Sequence, residues 1–336
     1  MKPPTPTLLV IRLSALGDVA MTVPAIYAVA RLYPQWKIKV LTSPFFSRIF
    51  VGKPNNVELL TIEHEKTKGF AGLFRLIHML RKEDVTCVAD FHNMLRSWII
   101  DVFFVVTGHK VVMINKDRMH RRQLTKVHKQ GVCFRPFCLR YFDVLQKLGF
   151  KVSADSVLPA KRTRNLPHIP SIGIAPFARY RNKTYPLDKM RDVVRLLSSH
   201  ENVKIYLFGS KGAEQAILEE WVEEHAHATC VAGQMPIEEE IALMSRLDVM
   251  LTMDSANMHL ASLVGTPVVS VWGSTTPECG FLGWSQKREN CIVADCPCQP
   301  CTISGSNSCR YHDFHCLTAL SPQQICEHIN RIISLQ

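Results

Sequence analysis

Two polar corners in the sequence carry residue types that could hold or activate a phosphorylated ligand. In the first, Asp254 and Ser255 follow the apolar run 247–253, and a short helical segment that carries His259 comes next. A carboxylate, a hydroxyl and the N–H groups of a helix start at the end of a parallel strand are the parts of an anion site. Capping of that helix explains the same spacing equally well, so both interpretations stay open.

The second corner, Gly17 and Asp18, follows an apolar strand predicted over 7–13. Gly17 has no side chain and lets a ligand approach the backbone, while Asp18 places a carboxylate at the start of a helix predicted over 19–33. That carboxylate could act as a general base toward a hydroxyl group, or it could only cap the helix. The residues alone favour the cap.

Charged residues after two further predicted strands could contact a nucleotide. Arg179, Arg181 and Lys183 follow the strand predicted over 171–177, where they could neutralise a diphosphate or lie in a solvated loop. Glu214 stands one turn into a helix that follows the strand predicted over 203–208. It could accept a hydrogen bond from a ribose hydroxyl, or only favour the helix dipole.

The order of the elements predicts the parallel sheets that would position these corners. Compact apolar runs alternate with segments of helical period, which is the pattern of an α/β fold. At 336 residues the chain is too long for one ordinary core, so two domains are expected. We predict a domain over 1–160, a Pro- and charge-rich linker over 161–170, a second domain over 171–320 and a closing helix over 321–336.

Composition narrows the class of partner. The formal charge of +11 calls for an acidic ligand such as a nucleic acid, an anionic lipid or a phosphorylated substrate. No apolar run reaches the roughly twenty residues of a membrane span, and the first residues do not read as a signal peptide, so we expect a cytoplasmic protein. The basic stretch 109–129 is either a solvated face or a patch for an anionic acceptor or membrane surface.

Twelve cysteines are many for such a chain, and without a secretory signal we expect them to be mostly reduced thiols. Five that lie close together near the C-terminus are Cys296, Cys298, Cys301, Cys309 and Cys316. They could supply the soft ligands of a tetrahedral zinc site, but their spacing matches no standard zinc finger. Thiols without a metal are therefore the favoured interpretation.

Four motifs together resemble one known family. They are Arg12–Val19, Asn182–Pro186, Asp254–Val269 and Trp272–Pro277. In this order and over essentially the whole chain, the sequence is similar to glycosyltransferase family 9, the lipopolysaccharide heptosyltransferases. The resemblance implies a GT-B fold, in which two Rossmann-like domains face each other across a cleft.

The resemblance also implies an activity, which is the inverting transfer of a heptose from ADP-heptose to the lipopolysaccharide inner core without a cofactor or metal. By motif match, Asp18 would be the general base and Lys183 would neutralise the leaving diphosphate. The remaining candidates for the donor pocket are Glu214, Asp254, Ser255, Ala256 and His259. The lipid A-core acceptor would lie at the inner leaflet of the inner membrane, and its candidate contacts are Arg12, Ser14, Arg121 and Arg122.

Departures from the family pattern keep other functions open. The family usually has Gly where this chain has Ala256, and it usually has a HisProGlyAla-like turn where this chain has AlaProPheAla at 175–178. A GT-B transferase that uses another nucleotide sugar is therefore one alternative. A nicotinamide-dependent oxidoreductase is disfavoured because no GxGxxG pattern follows the first strand. The hypothesis of a non-catalytic protein that binds RNA or anionic lipid depends on net charge alone. Because no RNA-recognition pattern is present, nucleic acid is not an expected partner.

Overall fold

The computed structural model describes residues 5–63, 69–126, 134–157, 169–199 and 202–334. The chain divides into two compact units, Met1–Lys116 with Arg135–Leu158 and Asp117–Phe134 with Pro159–Gln336. Most of the linker predicted over 161–170 lies outside the described residues. Within the described part, no helix is both long and apolar enough to cross a lipid bilayer.

Both units are built from strands and helices that alternate along the chain. The strands are β1 (Thr7–Ile11), β2 (Lys37–Thr42), β3 (Val57–Thr61), β4 (Cys87–Asp90), β5 (Lys110–Met113), β6 (Ser171–Ala175), β7 (Lys204–Leu207), β8 (Ala228–Cys230), β9 (Val249–Met253), β10 (Val268–Trp272) and β11 (Cys291–Val293). The helices are α1 (Leu16–Ala20), α2 (Val23–Leu32), α3 (Pro44–Ser47), α4 (Gly69–Leu80), α5 (Leu95–Val106), α6 (Arg118–Lys126), α7 (Phe137–Leu148), α8 (Leu187–Ser198), α9 (Ala213–Glu224), α10 (Ile237–Met244), α11 (Ala256–Leu263), α12 (His315–Thr318) and α13 (Pro322–Ser334).

The first unit has a five-stranded parallel sheet in the order β3-β2-β1-β4-β5. Leu76 of α4 and Ile100 of α5 pack in one buried cluster with Leu9 and Ile11 of β1. Helices α2 and α7 contact each other, and they also contact strands of the sheet. The prediction of a parallel α/β domain is confirmed for this unit.

The single helix predicted over 19–33 is wrong, because the chain forms two helices there. Helix α1 ends at Ala20, and α2 begins at Val23 with Pro24 in its first turn. Proline is tolerated at the start of a helix, where its missing N–H would have no partner within the helix. Pro24 therefore starts a helix rather than kinking one.

The second unit has a six-stranded parallel sheet in the order β11-β10-β9-β6-β7-β8. Its core is a continuous apolar cluster that includes Ile174, Tyr185 and Leu251. The final helix begins as its sequence predicts, because the Gln324 N–H donates to Ser321 Oγ and the Ser321 N–H donates to Gln324 Oε1.

A segment that precedes α7 groups with the second unit rather than with the continuous domain expected over 1–160. Leu124 of α6, Phe134 and Cys279 form a buried cluster. The Phe134 N–H also donates to the Glu278 carbonyl oxygen at 3.0 Å. Apolar burial and a backbone hydrogen bond therefore tie α6 to the later part of the chain.

Candidate active site

The two predicted corners lie where the strand order of each sheet reverses. In the second sheet β6 and β9 are neighbours, and the chain runs outward from them on both sides. In the first sheet β1 and β4 have the same relation. Ligands of parallel α/β sheets bind at the carboxyl ends of strands at such reversal points. Lys183 and Asp254 follow β6 and β9, and Asp18 follows β1.

An ion pair joins the two loops at the reversal point of the second sheet. Lys183 Nζ lies 2.7 Å from Asp254 Oδ2, with 13% and 5% of the two side chains exposed. The Thr275 hydroxyl donates to the same Oδ2 at 2.6 Å. The structure therefore places a cation in a largely buried site and fixes its position with a carboxylate that also accepts a hydrogen bond from Thr275.

Neither Asp254 nor Ser255 caps α11 with its side chain, so the capping interpretation of this corner is wrong. Ser255 is the residue before the helix, and no side-chain hydrogen bond is made there. Its hydroxyl instead lies 3.1 Å from the Thr252 hydroxyl. The first turn of α11, which begins at Ala256, keeps N–H groups that its N-cap side chain does not use, and these favour an anion. His259 is buried in the same helix.

Two backbone segments meet tightly beside this ion pair. The Ser274 N–H donates to the Asn182 carbonyl oxygen at 2.9 Å, and Asn182 is buried. A Cβ atom on Gly273 would lie 2.2 Å from that oxygen, a distance that real side chains do not adopt. Gly273 is therefore required for the turn that carries Lys183 to approach the end of β10.

Glu214 makes a local contact at the start of α9. Its Oε2 accepts a hydrogen bond from the Ser210 N–H at 2.7 Å, across the turn that follows β7. The side chain is half-buried. This contact ties the turn before α9 to the first turn of the helix, and a role toward ribose stays a prediction.

At the reversal point of the first sheet, Asp18 pairs with a buried arginine. Arg12 Nη2 lies 2.5 Å from Asp18 Oδ2, with 5% and 34% of the two side chains exposed. Arg12 Nη1 donates to the Phe91 carbonyl oxygen, just after β4, at 2.7 Å. Burial lowers the pKa of Arg12, but Tyr141, Asp18 and Asp90 together raise it above its ordinary value. Asp18 is the third residue of α1, not its N-cap.

The loop after β4 is organised by a buried carboxylate. Asp90 accepts hydrogen bonds from the backbone N–H groups of His92 and Asn93 and from the Ser97 hydroxyl. Burial, followed by the charge and hydrogen bonding of Asp90, raises the pKa of Asp101 to about 8. Burial, followed by the charge of Arg12, lowers the pKa of His92 to about 3. A neutral imidazole therefore lies in the loop whose Phe91 carbonyl holds Arg12.

The other acceptor candidates are distributed over both units. Ser14 is exposed in the loop after β1. Arg121 lies on α6 in the second unit, where its guanidinium stacks 4.9 Å from the centre of the Phe281 ring. Arg122 belongs to the same helix, and its side chain is outside the described part of the structure. Since α6 groups with the second unit, Arg121 and Arg122 do not share a domain with Ser14.

The five clustered cysteines line one cavity of about 370 Å³, together with Asn182 and Ser274. The Sγ atoms of Cys296 and Cys298 lie 3.4 Å apart. Burial and neighbouring thiols raise the pKa values of Cys298 and Cys316 to about 12. Among the described residues, no three or more Cys, His, Asp or Glu side chains are arranged to hold a metal ion.

Comparison with known proteins places this geometry in a family. Residues 73–312, well over half of the chain, match the model for glycosyltransferase family 9 (heptosyltransferase). The chain belongs to this family. Lipopolysaccharide heptosyltransferase 3 of Escherichia coli is 26% identical to it over 281 residues, which are 77% of this chain and 81% of that protein.

Solved structures of heptosyltransferases share the fold of this family 9 member. The E. coli ADP-heptose lipopolysaccharide heptosyltransferase II superposes with a TM-score of 0.69 at 19% identity, covering 98% of this chain and 99% of that one. E. coli heptosyltransferase WaaC with ADP gives a TM-score of 0.69 at 16% identity, covering 97% and 99%. The chain is a glycosyltransferase with the two parallel-sheet domains of the GT-B fold.

Several residues that shape the site are not indicated by residue type and spacing. Thr275, which donates to Asp254, stands in a motif recognised only for its resemblance. Asn182 and Gly273 act through backbone contact, which residue types alone do not reveal. Phe91 contributes a carbonyl oxygen, which any residue could supply. The polar residues Asp90, His92 and Asn93 around Phe91 are the sequence signal for this loop.

Proposed function

We propose that this family 9 glycosyltransferase transfers a heptose from ADP-heptose to the inner core of lipopolysaccharide, with inversion at the anomeric carbon. The observation that carries the proposal is the buried Lys183–Asp254 pair at the reversal point of the second sheet. Two findings support the choice of donor and acceptor. The E. coli relative is a lipopolysaccharide heptosyltransferase, and the similar WaaC structure holds ADP.

The second unit would bind the donor. The ADP diphosphate would meet Lys183 and the first N–H groups of α11, while Asp254 and Thr275 keep the ammonium group in place. In transfer, the bond between the anomeric carbon and the diphosphate oxygen breaks, and the electron pair leaves with ADP. A cation and a helix N-terminus that are already oriented stabilise the charge that develops on that oxygen.

The first unit would supply the base. Both described contacts of Asp18, with the Arg12 guanidinium and the Ala15 N–H, fall on Oδ2. The other oxygen, Oδ1, would therefore take the proton from the acceptor hydroxyl as the hydroxyl oxygen bonds to the anomeric carbon. Because Arg12 is held by the Phe91 carbonyl, the carboxylate is oriented before the acceptor binds.

The acceptor would be a phosphorylated or carboxylated lipid-anchored saccharide at the cytoplasmic leaflet of the inner membrane. The formal charge of +11 supports an acidic acceptor and an anionic surface. Arg12 is committed to Asp18 and Phe91, so we assign it to positioning the base rather than to binding the acceptor.

One residue, Ala256, favours a donor other than ADP-heptose. It is the first residue of α11, where the family usually has Gly, and its methyl group would hold a phosphate further from the backbone. A GT-B transferase with a different nucleotide sugar is therefore the second candidate function.

Calorimetry with ADP-heptose, UDP-sugars and GDP-sugars separates the two candidates. The proposal expects ADP and ADP-heptose to bind and the uridine and guanosine compounds to bind at least about tenfold more weakly, as the loss of about 1.4 kcal/mol of base contacts would produce. Transfer of heptose to an isolated inner-core acceptor would complete the assignment. Tight binding of a UDP- or GDP-sugar, with none of ADP-heptose, would overturn the choice of donor.

A further inference from the structure

Helix α5 is apolar on the side that faces solvent as well as on the side that faces the sheet. Nine of its twelve residues are apolar. Ile100 and Phe104 are buried with the sheet, as are Ser97 and Asp101. The opposite side shows six large apolar side chains, each between 38% and 75% exposed, which are Leu95, Trp98, Ile99, Val102, Val105 and Val106.

The spacing of these six residues places them in one stripe. Residues three, four, seven and eleven positions apart fall on the same side of an α-helix, because one turn takes 3.6 residues. Single exposed apolar residues are ordinary, but a contiguous exposed stripe marks a surface that binds something apolar. We call these six residues the outer face of α5.

The length of the helix determines how a bilayer could be contacted. Twelve residues at about 1.5 Å each give a helix of about 18 Å, well short of the roughly 30 Å hydrocarbon layer. Such a helix would contact a bilayer by lying in the plane of the membrane interface. Trp98, whose Nε1 donates to Asn93 Oδ1 at 2.7 Å, is the residue type that prefers this depth.

The charges around α5 favour an anionic bilayer over a second copy of the chain. From Phe91 to Lys116 the sequence contains one acidic residue, Asp101, and it is 4% exposed. The same stretch contains Arg96, Lys110 and Lys116. A symmetric contact between two copies would bring two net positive stretches together, whereas anionic headgroups attract a net positive stretch.

We infer that the outer face of α5 binds the surface of an anionic phospholipid bilayer, with the helix lying parallel to the membrane. This contact deepens the proposed function, on which it rests for the membrane-bound acceptor, by naming the face that meets the bilayer. Its test uses neither the donor nor the acceptor, so failure of the contact and failure of the transferase proposal are distinguishable. The contact places the first unit, which carries Asp18, against the lipid surface.

Vesicle sedimentation tests this contact with full-length protein. The wild type is mixed with phosphatidylcholine vesicles, alone or with phosphatidylglycerol added, and we expect binding to the mixed vesicles that weakens with salt. Val102→Ser with Val106→Ser should weaken it about tenfold or more, since both changes remove apolar surface from the contact. Leu32→Ser, an exposed residue at the end of α2, is the matched control and should bind as wild type does.

Trp98 gives a second measurement that does not depend on the serine variant. Its emission should shift to the blue on vesicle binding and be quenched by brominated lipid, and Trp98→Phe should remove most of both signals. ADP affinity should be the same in the serine variant and in the wild type. Unchanged vesicle binding of the serine variant, or no lipid quenching of Trp98, would overturn the inference. So would a wild-type dimer in sedimentation velocity that the serine changes dissociate, because a second copy would then cover this face.

Discussion

Lys183 Nζ and Asp254 Oδ2 lie 2.7 Å apart at the point where the strand order of the second sheet reverses. Asp254 is not a helix cap, and Lys183 is not a surface cation, because the two side chains hold each other in a mostly buried position. An ammonium fixed in this way can meet a diphosphate without being reoriented, which is how a preorganised site stabilises a leaving group.

Replacement of this cation should weaken nucleotide binding. Lys183→Met keeps the length of the side chain and removes the charge, so we expect ADP affinity to fall about 10- to 100-fold, as for the loss of a charged hydrogen bond of roughly 1.5–3 kcal/mol. Titration calorimetry with ADP measures it. Lys204→Met is the control and should bind ADP normally. Lys204 is exposed at the amino end of β7, whereas the site lies at the carboxyl ends of the strands. Equal affinities of the two variants would remove Lys183 from the donor site.

The close approach at Gly273 gives a steric prediction. Gly273→Ala would place a methyl group 2.2 Å from the Asn182 carbonyl oxygen, so the backbone turn that carries Lys183 must move. We expect weaker ADP binding together with a lower urea midpoint. In Gly209→Ala the nearest atom is a methyl of Leu218 at 3.1 Å, which can shift, so this variant should be affected less. The reverse order of effects would contradict the close packing.

How much of this fold the sequence predicts depends on whether a feature arises from local patterns or from contacts between distant residues. Alternating apolar runs predict two parallel α/β domains, since burial on both faces imposes that pattern. They do not predict the split of α1 from α2, because hydrophobic period continues across Met21 and Thr22. The grouping of α6 with the second unit depends on Leu124, Phe134 and Cys279, whose contacts are distant in sequence.

For the candidate site, too, the sequence predicts some residues and not others. Asp18, Lys183 and Asp254 are recognisable because their charges follow strand ends. The Phe91 carbonyl, which holds Arg12, and the Asn182 carbonyl, which accepts from the Ser274 N–H, are backbone groups that any residue could supply. Gly273 contributes the absence of a side chain, so residue type does not indicate these roles. Roles that depend on backbone geometry required the structure.

Asp101 should make stability depend on pH. Its pKa is raised from 3.8 to about 8 in the folded chain, so between those values the folded state binds more protons than the unfolded state. The free energy of unfolding therefore falls as pH rises through this window, by at most about 1.4 kcal/mol per pH unit. His92, with its pKa lowered from 6.5 to about 3, destabilises the fold as pH falls below 6.5, so the two slopes oppose each other there.

Comparison of the wild type with Asp101→Asn between pH 6.5 and 8 isolates the Asp101 effect, because Glu240, whose burial raises its pKa to about 7, titrates in both proteins. Asp101→Asn removes the titrating group, so its urea midpoint should vary less with pH across this range than that of the wild type. We also expect the variant to be the more stable protein at pH 8, because no buried carboxylate has to ionise. Parallel slopes in the two proteins would show that Asp101 does not hold a proton in the folded chain.

The most direct test of the proposed mechanism is the turnover of Asp18→Asn with ADP-heptose and an inner-core acceptor, measured beside its ADP affinity. The amide keeps the shape of the carboxylate and can still accept from Arg12, but it cannot take a proton. Asp143→Asn, which alters an exposed pair with Arg135 in the same unit, is the control and should transfer heptose normally. We predict a loss of at least about 100-fold in kcat for Asp18→Asn, the usual contribution of a general base, with unchanged ADP binding. Near-normal turnover of this variant would contradict the assignment of Asp18 as the base.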